Sequence, residues 1–62
     1  MQVTYRTKLW TFDRRITVAQ MLKSIKVLPE TVLVVRNGTL VTEDQHLELG
    51  DSVKVVSVIS GG

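Results

Sequence analysis

Residues 32–41 have the sequence VLVVRNGTLV, in which an Asn-Gly pair separates two apolar segments. Asn37-Gly38 is the strongest two-residue signal for a β-hairpin, because both residue types accept the positive φ angles of a type I′ turn. The continuous apolar run at 32–35 is typical of a strand that is covered on both faces. The sequence therefore predicts a strand at 32–35 that turns at Asn37-Gly38 and returns as a short strand over 39–41.

A second hairpin is predicted near the start of the sequence. Val3 and Tyr5 alternate with polar residues, and Trp10 and Phe12 alternate in the same way. Such alternation indicates two half-buried strands. The link through Thr7-Lys8 carries no strong turn signal, but the two strands are still expected to form a hairpin.

Residues 17–27 are predicted to contain a helix. Thr17-Val18-Ala19-Gln20 fits a capping box, in which the threonine hydroxyl accepts a hydrogen bond from the N3 amide and the N3 glutamine reaches back to the N-cap. Pro29 requires the helix to end by about Val27. Its apolar face is interpreted as core rather than as a cofactor site and carries Val18, Met21, Leu22 and Ile25.

The remaining segment is predicted to be a loop and a last strand. Residues 42–49 form the expected polar loop, which holds the single histidine, His46. A turn at Gly50-Asp51 then leads into a strand from about Ser52 to Ile59. Because His46 has no second histidine and no cysteine to act with, it is interpreted as a loop histidine without a special role. We therefore expect no catalytic residue and no metal site.

Length and composition exclude several classes of function. A domain of 62 residues has a thin core and little room for an internal active site. The absence of cysteine excludes disulfides, thiolate metal sites and a resident cysteine nucleophile. Since the sequence shows neither a secretory signal nor an apolar stretch of membrane-spanning length, a soluble cytoplasmic protein without membrane contact is expected.

The net charge of +2 is unevenly distributed. Residues 1–36 carry seven basic and two acidic side chains, whereas residues 37–62 carry one basic and four acidic side chains. Such asymmetry can steer a charged partner. Because the longest basic run is Arg14-Arg15 and no aromatic residue is interleaved with basic residues in a stacking pattern, we expect a solvated surface without direct nucleic-acid binding.

Together these elements predict an α+β fold with a mixed sheet of four to five strands and one helix packed on one face. The order of elements, the short length and three motifs resemble the ubiquitin-like sulfur carriers of the ThiS and MoaD family, including TtuB-type carriers. The three motifs are Asn37-Gly38, Leu49-Gly50-Asp51 before the last strand, and the ending Val58-Ile59-Ser60-Gly61-Gly62. The resemblance implies a β-grasp domain over residues 1–59 and a flexible tail over residues 60–62.

The resemblance also implies a carrier that has no catalytic apparatus and binds no cofactor of its own. A separate E1-like adenylyltransferase, using ATP and Mg²⁺, would adenylate the carboxylate of Gly62, which follows Ser60 and Gly61 in the tail. A persulfide protein would then displace AMP and leave a thiocarboxylate. The acceptor of the sulfur would be a thiazole synthase of thiamine synthesis or a tRNA thiolase, with molybdopterin synthesis as a more distant alternative.

The residue types of the tail suit this chemistry. A carboxylate is a poor electrophile and must be activated before a sulfur nucleophile can attack it. Gly61 and Gly62 have no Cβ, so they can pass a narrow channel and adopt φ angles that other residues avoid. A Gly-Gly ending also has an ordinary explanation, because glycine is common at disordered termini.

A docking surface can be predicted from strand alternation. If Val53 and Val55 face the helix, Val56 and Val58 face the opposite side of the sheet. In the same way, if Val32 and Val34 point toward the helix, Leu33 and Val35 face the opposite side. A register shifted by one residue would instead bury this set. The predicted partner-docking residues are Leu33, Val35, Val56 and Val58.

Two other classes of function remain open at this point. In one, the activated Gly62 is joined to a lysine of a target protein, so that the chain is a ubiquitin-like modifier. In the other, the chain is a small β-rich RNA-binding or structural module with an incidental glycine tail. The first alternative uses the same activation chemistry as a sulfur carrier, and no residue of the sequence separates the two.

Overall fold

The computed structural model describes residues 1–58, which form one five-stranded sheet, one α-helix and a small two-stranded sheet. The helix α1 spans Val18–Ser24, and a single 3₁₀ turn spans Pro29–Thr31. The strands are β1 (Gln2–Tyr5), β2 (Lys8–Thr11), β3 (Ile16–Thr17), β4 (Val32–Arg36), β5 (Thr39–Val41), β6 (His46–Leu47) and β7 (Ser52–Ser57).

The five-stranded sheet has the order β2-β1-β7-β4-β5. Strands β1 and β7 are parallel, and the other neighbouring pairs are antiparallel. The apolar face of α1 packs on one side of this sheet, where its buried side chains join those of β1, β4 and β7 in one core. The predicted α+β fold, with a mixed sheet and one helix on one face, is therefore confirmed and is compatible with a β-grasp domain.

The central hairpin forms where the sequence predicts it. Asn37 and Gly38 have φ angles of 51° and 84°, as a two-residue type I′ turn requires, and they connect β4 to β5. The prediction that the run at 32–35 is covered on both faces is wrong, because Leu33 is 45% exposed while its neighbours Val32 and Val34 are buried. The continuous apolar run therefore has a buried face and an open face.

The first hairpin is tighter than the sequence suggests. Tyr5 pairs with Lys8 across a two-residue turn, and Arg6 in that turn has a φ of 58°. Strand β2 therefore begins at Lys8, before the alternation that starts at Trp10. The apolar Leu9 is 59% exposed on the open face, so the start of this strand breaks the expected pattern of buried and polar residues.

Helix α1 begins at the predicted capping box. The Thr17 hydroxyl accepts a hydrogen bond from the Gln20 N–H at 3.1 Å, and the Gln20 side-chain oxygen accepts one from the Thr17 N–H at 3.0 Å. The helix ends in a Schellman motif, in which the Lys26 N–H donates to the Lys23 carbonyl and the Val27 N–H to that of Leu22. Lys26 occupies the left-handed position of this motif, with a φ of 61°.

The prediction of a continuous polar loop over residues 42–49 is wrong. Strand β6 lies within it and pairs with β3, so His46 belongs to a short strand rather than to a loop. Leu47 of this strand is fully buried in the core. The same segment caps α1, because the Val18 and Ala19 N–H groups donate to the carbonyls at positions 45 and 43.

The last strand ends at Ser57, two residues before the predicted end at Ile59, which lies outside the described residues. The proposed division into a domain at 1–59 and a tail at 60–62 has its boundary outside them as well and stays a prediction. In the described part of the chain, no helix has the length and apolar character needed to cross a membrane. The core consists of Val3, Ile16, Val18, Met21, Leu22, Ile25, Val32, Val34, Val41, Leu47, Val53 and Val55.

Candidate functional site

The central strand β7 is fixed on both sides along its length. It pairs in parallel with β1, where Val53 lies opposite Val3, and antiparallel with β4, where Val55 lies opposite Val34. The Val58 N–H donates to the Thr31 carbonyl at 3.0 Å, so backbone pairing continues just past the end of the strand. The last described residue therefore leaves the sheet from a well-anchored position.

The side chains predicted to dock a partner lie on the open face of the sheet. Leu33 and Val56 are direct neighbours on β4 and β7, and they are 45% and 39% exposed. Val58 is 51% exposed, and Val35 is half-buried. Val53 and Val55 are buried on the helix side. The alternation of inward and outward side chains along β7 is therefore the predicted one and is not shifted by one residue. The role of these side chains in docking stays a prediction.

Leu40 belongs to the same surface although sequence reasoning missed it. It lies opposite Val35 across the β4–β5 hairpin and is 60% exposed. The two-residue turn fixes this register, so the Asn-Gly signal is by itself sufficient to place Leu40 beside Val35. We use the name open-face patch for Leu33, Val35, Leu40, Val56 and Val58.

The open-face patch is bordered by a cation on its β1 side and continues around the opposite edge of the sheet. Lys54 is exposed and lies between Val35 on β4 and Thr4 on β1. Leu33 and Leu40 also line a groove of about 240 Å³ between the edge of the sheet and α1. An apolar surface with one cation at its border and a groove at its side fits a protein partner better than a small-molecule substrate.

A polar network at the other end of β7 holds the start of the strand. The Asp51 carboxylate accepts hydrogen bonds from the Glu48 N–H at 2.8 Å and the Asn37 side-chain amide at 3.0 Å, and it lies 3.8 Å from the Arg36 guanidinium. The Glu48 N–H is the main group that lowers the pKa of Asp51, and Asn37 and Arg36 lower this pKa further. The network ties the Leu49-Gly50-Asp51 turn to the central hairpin.

The remaining predictions concern the reactive tail and His46, which was interpreted as having no special role. Ser60, Gly61 and Gly62 lie outside the described residues. His46 is exposed and pairs with Thr17 on β3. Within residues 1–58, no group of three or more histidine, aspartate or glutamate side chains could hold a metal ion. Residues 1–58 thus present an exposed apolar face and no cluster of metal-ligating side chains.

Comparison with known proteins gives two findings. The chain matches the ThiS family over residues 2–62. It is also 48% identical, over 44 residues, to a protein of Archaeoglobus fulgidus that is described as uncharacterized. This alignment covers 71% of the chain and 64% of the relative, so the chain spans less than two thirds of the length of that relative.

Proposed function

Because this chain belongs to the ThiS family, we propose that it is a sulfur carrier whose Gly62 carboxylate is adenylated and then converted to a thiocarboxylate. The observation that carries the proposal is the extent of the family match, which runs over residues 2–62 and includes the Gly-Gly ending. The anchored end of β7 and the exposed apolar surface beside it support the same function. A carrier of this kind is a protein substrate and not an enzyme.

The proposed activation takes place in two steps in partner enzymes. An oxygen of the Gly62 carboxylate attacks the α-phosphorus of ATP, and pyrophosphate leaves to give an acyl-adenylate. The outer sulfur of a protein persulfide then attacks the carbonyl carbon, and AMP leaves with the bonding electron pair. Thiols supply two electrons to the resulting acyl disulfide and become a disulfide themselves, which leaves a thiocarboxylate at Gly62 and a thiol on the donor.

We assign the E1-like adenylyltransferase to the open-face patch. Covering Leu33, Val56 and Val58 removes apolar surface from water, which provides the driving force for association. Lys54 adds a charge that is expected to pair with a carboxylate of the partner, and such pairs give specificity more than affinity. The partner bound on this face would stand next to the end of β7, where Val58 pairs with Thr31.

The sulfur is expected to pass to a thiazole synthase of thiamine synthesis or to a tRNA thiolase. We expect both steps to take place in the cytoplasm. Supplying the purified thiocarboxylate form to each acceptor enzyme would separate the two pathways. Product formation with one acceptor and none with the other identifies the pathway.

Exchange of pyrophosphate into ATP by the E1-like enzyme tests the activation step. Gly62→Ala should lower the exchange by about 10- to 100-fold, because a Cβ beside the carbonyl displaces the reacting atoms. Gly50→Ala is the matched control, since Gly50 does not have a positive φ and nothing lies within 4 Å of an added Cβ. Equal exchange by the wild type and Gly62→Ala would contradict the proposed role of Gly62.

A further inference from the structure

A second concave surface lies on the helix side of the sheet, opposite the open-face patch. It is a cleft of about 450 Å³ between the first hairpin and the end of α1, which is within the range of small-molecule sites. We call it the basic cleft. Its lining includes two aromatic and three cationic side chains, those of Tyr5, Trp10, Arg6, Lys8 and Lys26.

Within residues 1–58, no carboxylate forms a salt bridge with the cations of the basic cleft. None of the described residues that line it is acidic. The two salt bridges recorded within residues 1–58 involve Arg15 and Arg36, which lie elsewhere. The Arg6 guanidinium instead lies over the Tyr5 ring, 5.4 Å from its centroid, and this cation–π contact orients it. Among the described residues, the three cations of the basic cleft therefore have no acidic partner.

Two of the three cationic residues, Arg6 and Lys26, have a backbone conformation that glycine or asparagine adopts more readily. Arg6 and Lys26 have φ angles of 58° and 61°, a left-handed conformation that glycine and asparagine adopt at lower cost. The two residues come from different elements, and both of their side chains line the same cleft. The hairpin turn and the Schellman motif account for these two φ angles, and together they fix two cations at the border of one cleft.

We propose that the basic cleft binds a nucleoside phosphate, with the phosphate near Arg6, Lys8 and Lys26 and the base against Trp10. Cations that surround an aromatic surface are the recurring arrangement for nucleotides in single strands. Tyr5, Arg6, Lys8 and Trp10 lie within residues 5–10, and the end of α1 adds Lys26 to them. The sequence was interpreted as a solvated surface without direct nucleic-acid binding, because the contribution of Lys26 depends on the fold. A free nucleotide and a nucleotide within an RNA chain could both make these contacts, because each has a phosphate and a base.

The position of the basic cleft allows binding there while a partner occupies the open-face patch. Tyr5 lies opposite Val55 in the parallel pair, so the cleft and the end of β7 are at the same end of the sheet. The patch and the cleft nevertheless lie on opposite faces. This proposal is independent of the sulfur-carrier function, since it concerns only the chain alone and a ligand.

The fluorescence of Trp10 provides a direct test, because it is the single tryptophan of the chain. The full chain is titrated separately with AMP, with inorganic phosphate and with a short single-stranded RNA. The proposal predicts a saturable change with AMP or RNA and a weaker effect of inorganic phosphate. Tighter binding of AMP identifies a free nucleotide as the ligand, and tighter binding of RNA identifies the polymer.

Charge-removing variants make the test specific. The variant Arg6→Asn/Lys26→Gly removes two positive charges. It should remain folded, because asparagine and glycine both accept the positive φ angles at these two positions. We expect it to bind at least about tenfold more weakly. The control Arg14→Gln/Lys23→Gln removes the same charge from residues outside the cleft and should bind like the wild type.

Three results would overturn the proposal. The first is the absence of a saturable change with AMP and RNA. The second is an equal loss of binding in the two double variants, which would reflect net charge alone. The third is binding of inorganic phosphate as tight as that of AMP or RNA, since the base would then make no contact with the aromatic surface.

Discussion

Truncation of two neighbouring side chains in the open-face patch should weaken binding of the E1-like enzyme. Leu33 is 45% exposed and Val56 is 39% exposed. Complete burial of an exposed leucine or valine side chain contributes roughly 1.5–3 kcal/mol. Covering the exposed fractions of the two side chains together would then contribute about 1.3–2.5 kcal/mol, or a factor of about 10 to 70 in Kd.

The expected loss for Leu33→Ala/Val56→Ala is about tenfold, at the lower end of that range, because alanine keeps its Cβ. Isothermal titration calorimetry with the purified enzyme measures this loss. Because the two residues are cross-strand neighbours, the variant should also lose roughly 1 kcal/mol or less of folding stability, which urea denaturation measures. The chain should remain folded at the temperature of the binding assay.

Leu49→Ala is the matched control for this prediction. Leu49 is 55% exposed, more than either patch residue, but it lies in the turn before β7. Its truncation should leave the Kd unchanged. An unchanged Kd for the patch variant, or the same loss for Leu49→Ala, would refute the argument that the open-face patch is the docking surface.

Three further perturbations test the fold. Lys26→Gly should raise the free energy of unfolding by about 0.5–1 kcal/mol, because relief of the left-handed strain exceeds the entropy cost of glycine. Urea denaturation measures this change, and a loss of stability would contradict the assigned Schellman motif. Leu47→Ala should cost about 2–5 kcal/mol by the same measurement, and a cost under about 1 kcal/mol would show that β6 is not part of the core. The pKa of Asp51 lies below its ordinary value of 3.8 in the folded state, so the stability it contributes is complete above this value and is lost as the pH falls through the lowered pKa. Asp51→Asn should therefore show a shallower loss of stability in acid than the wild type, and identical acid denaturation curves would exclude this role.

The features that the sequence predicted correctly are local ones. The turn at Asn37-Gly38 depends on two adjacent residues that accept positive φ angles, and the start of α1 depends on a contact between Thr17 and Gln20. Which side chains of β7 face the helix follows from the alternation of residues along that single strand. Each of these signals lies within a few residues of the structure that it determines, so tertiary contacts do not have to be known.

Strand β6 was missed because it depends on a contact between distant segments. Strand β6 has only two residues, and its pairing with β3 brings Leu47 beside Ile16, which no local period indicates. The buried position of Leu47 is thus a tertiary effect.

The two surfaces differ in how far the sequence could identify them. Most of the open-face patch follows from alternation, and Leu40 follows from the hairpin register. The basic cleft is only partly visible in the sequence. Tyr5, Arg6, Lys8 and Trp10 lie within residues 5–10, but Lys26 becomes their neighbour only through the packing of the end of α1.

The most direct test of the sulfur-carrier function is the intact mass of the chain after incubation with the E1-like enzyme, ATP and a persulfide donor. The proposal predicts a mass increase equal to the replacement of one oxygen by sulfur, located at Gly62 by fragmentation and absent when ATP is omitted. Linkage of Gly62 to a target lysine, without the sulfur-containing form, would instead identify a protein modifier. An unchanged mass with active partner enzymes would contradict the proposed function.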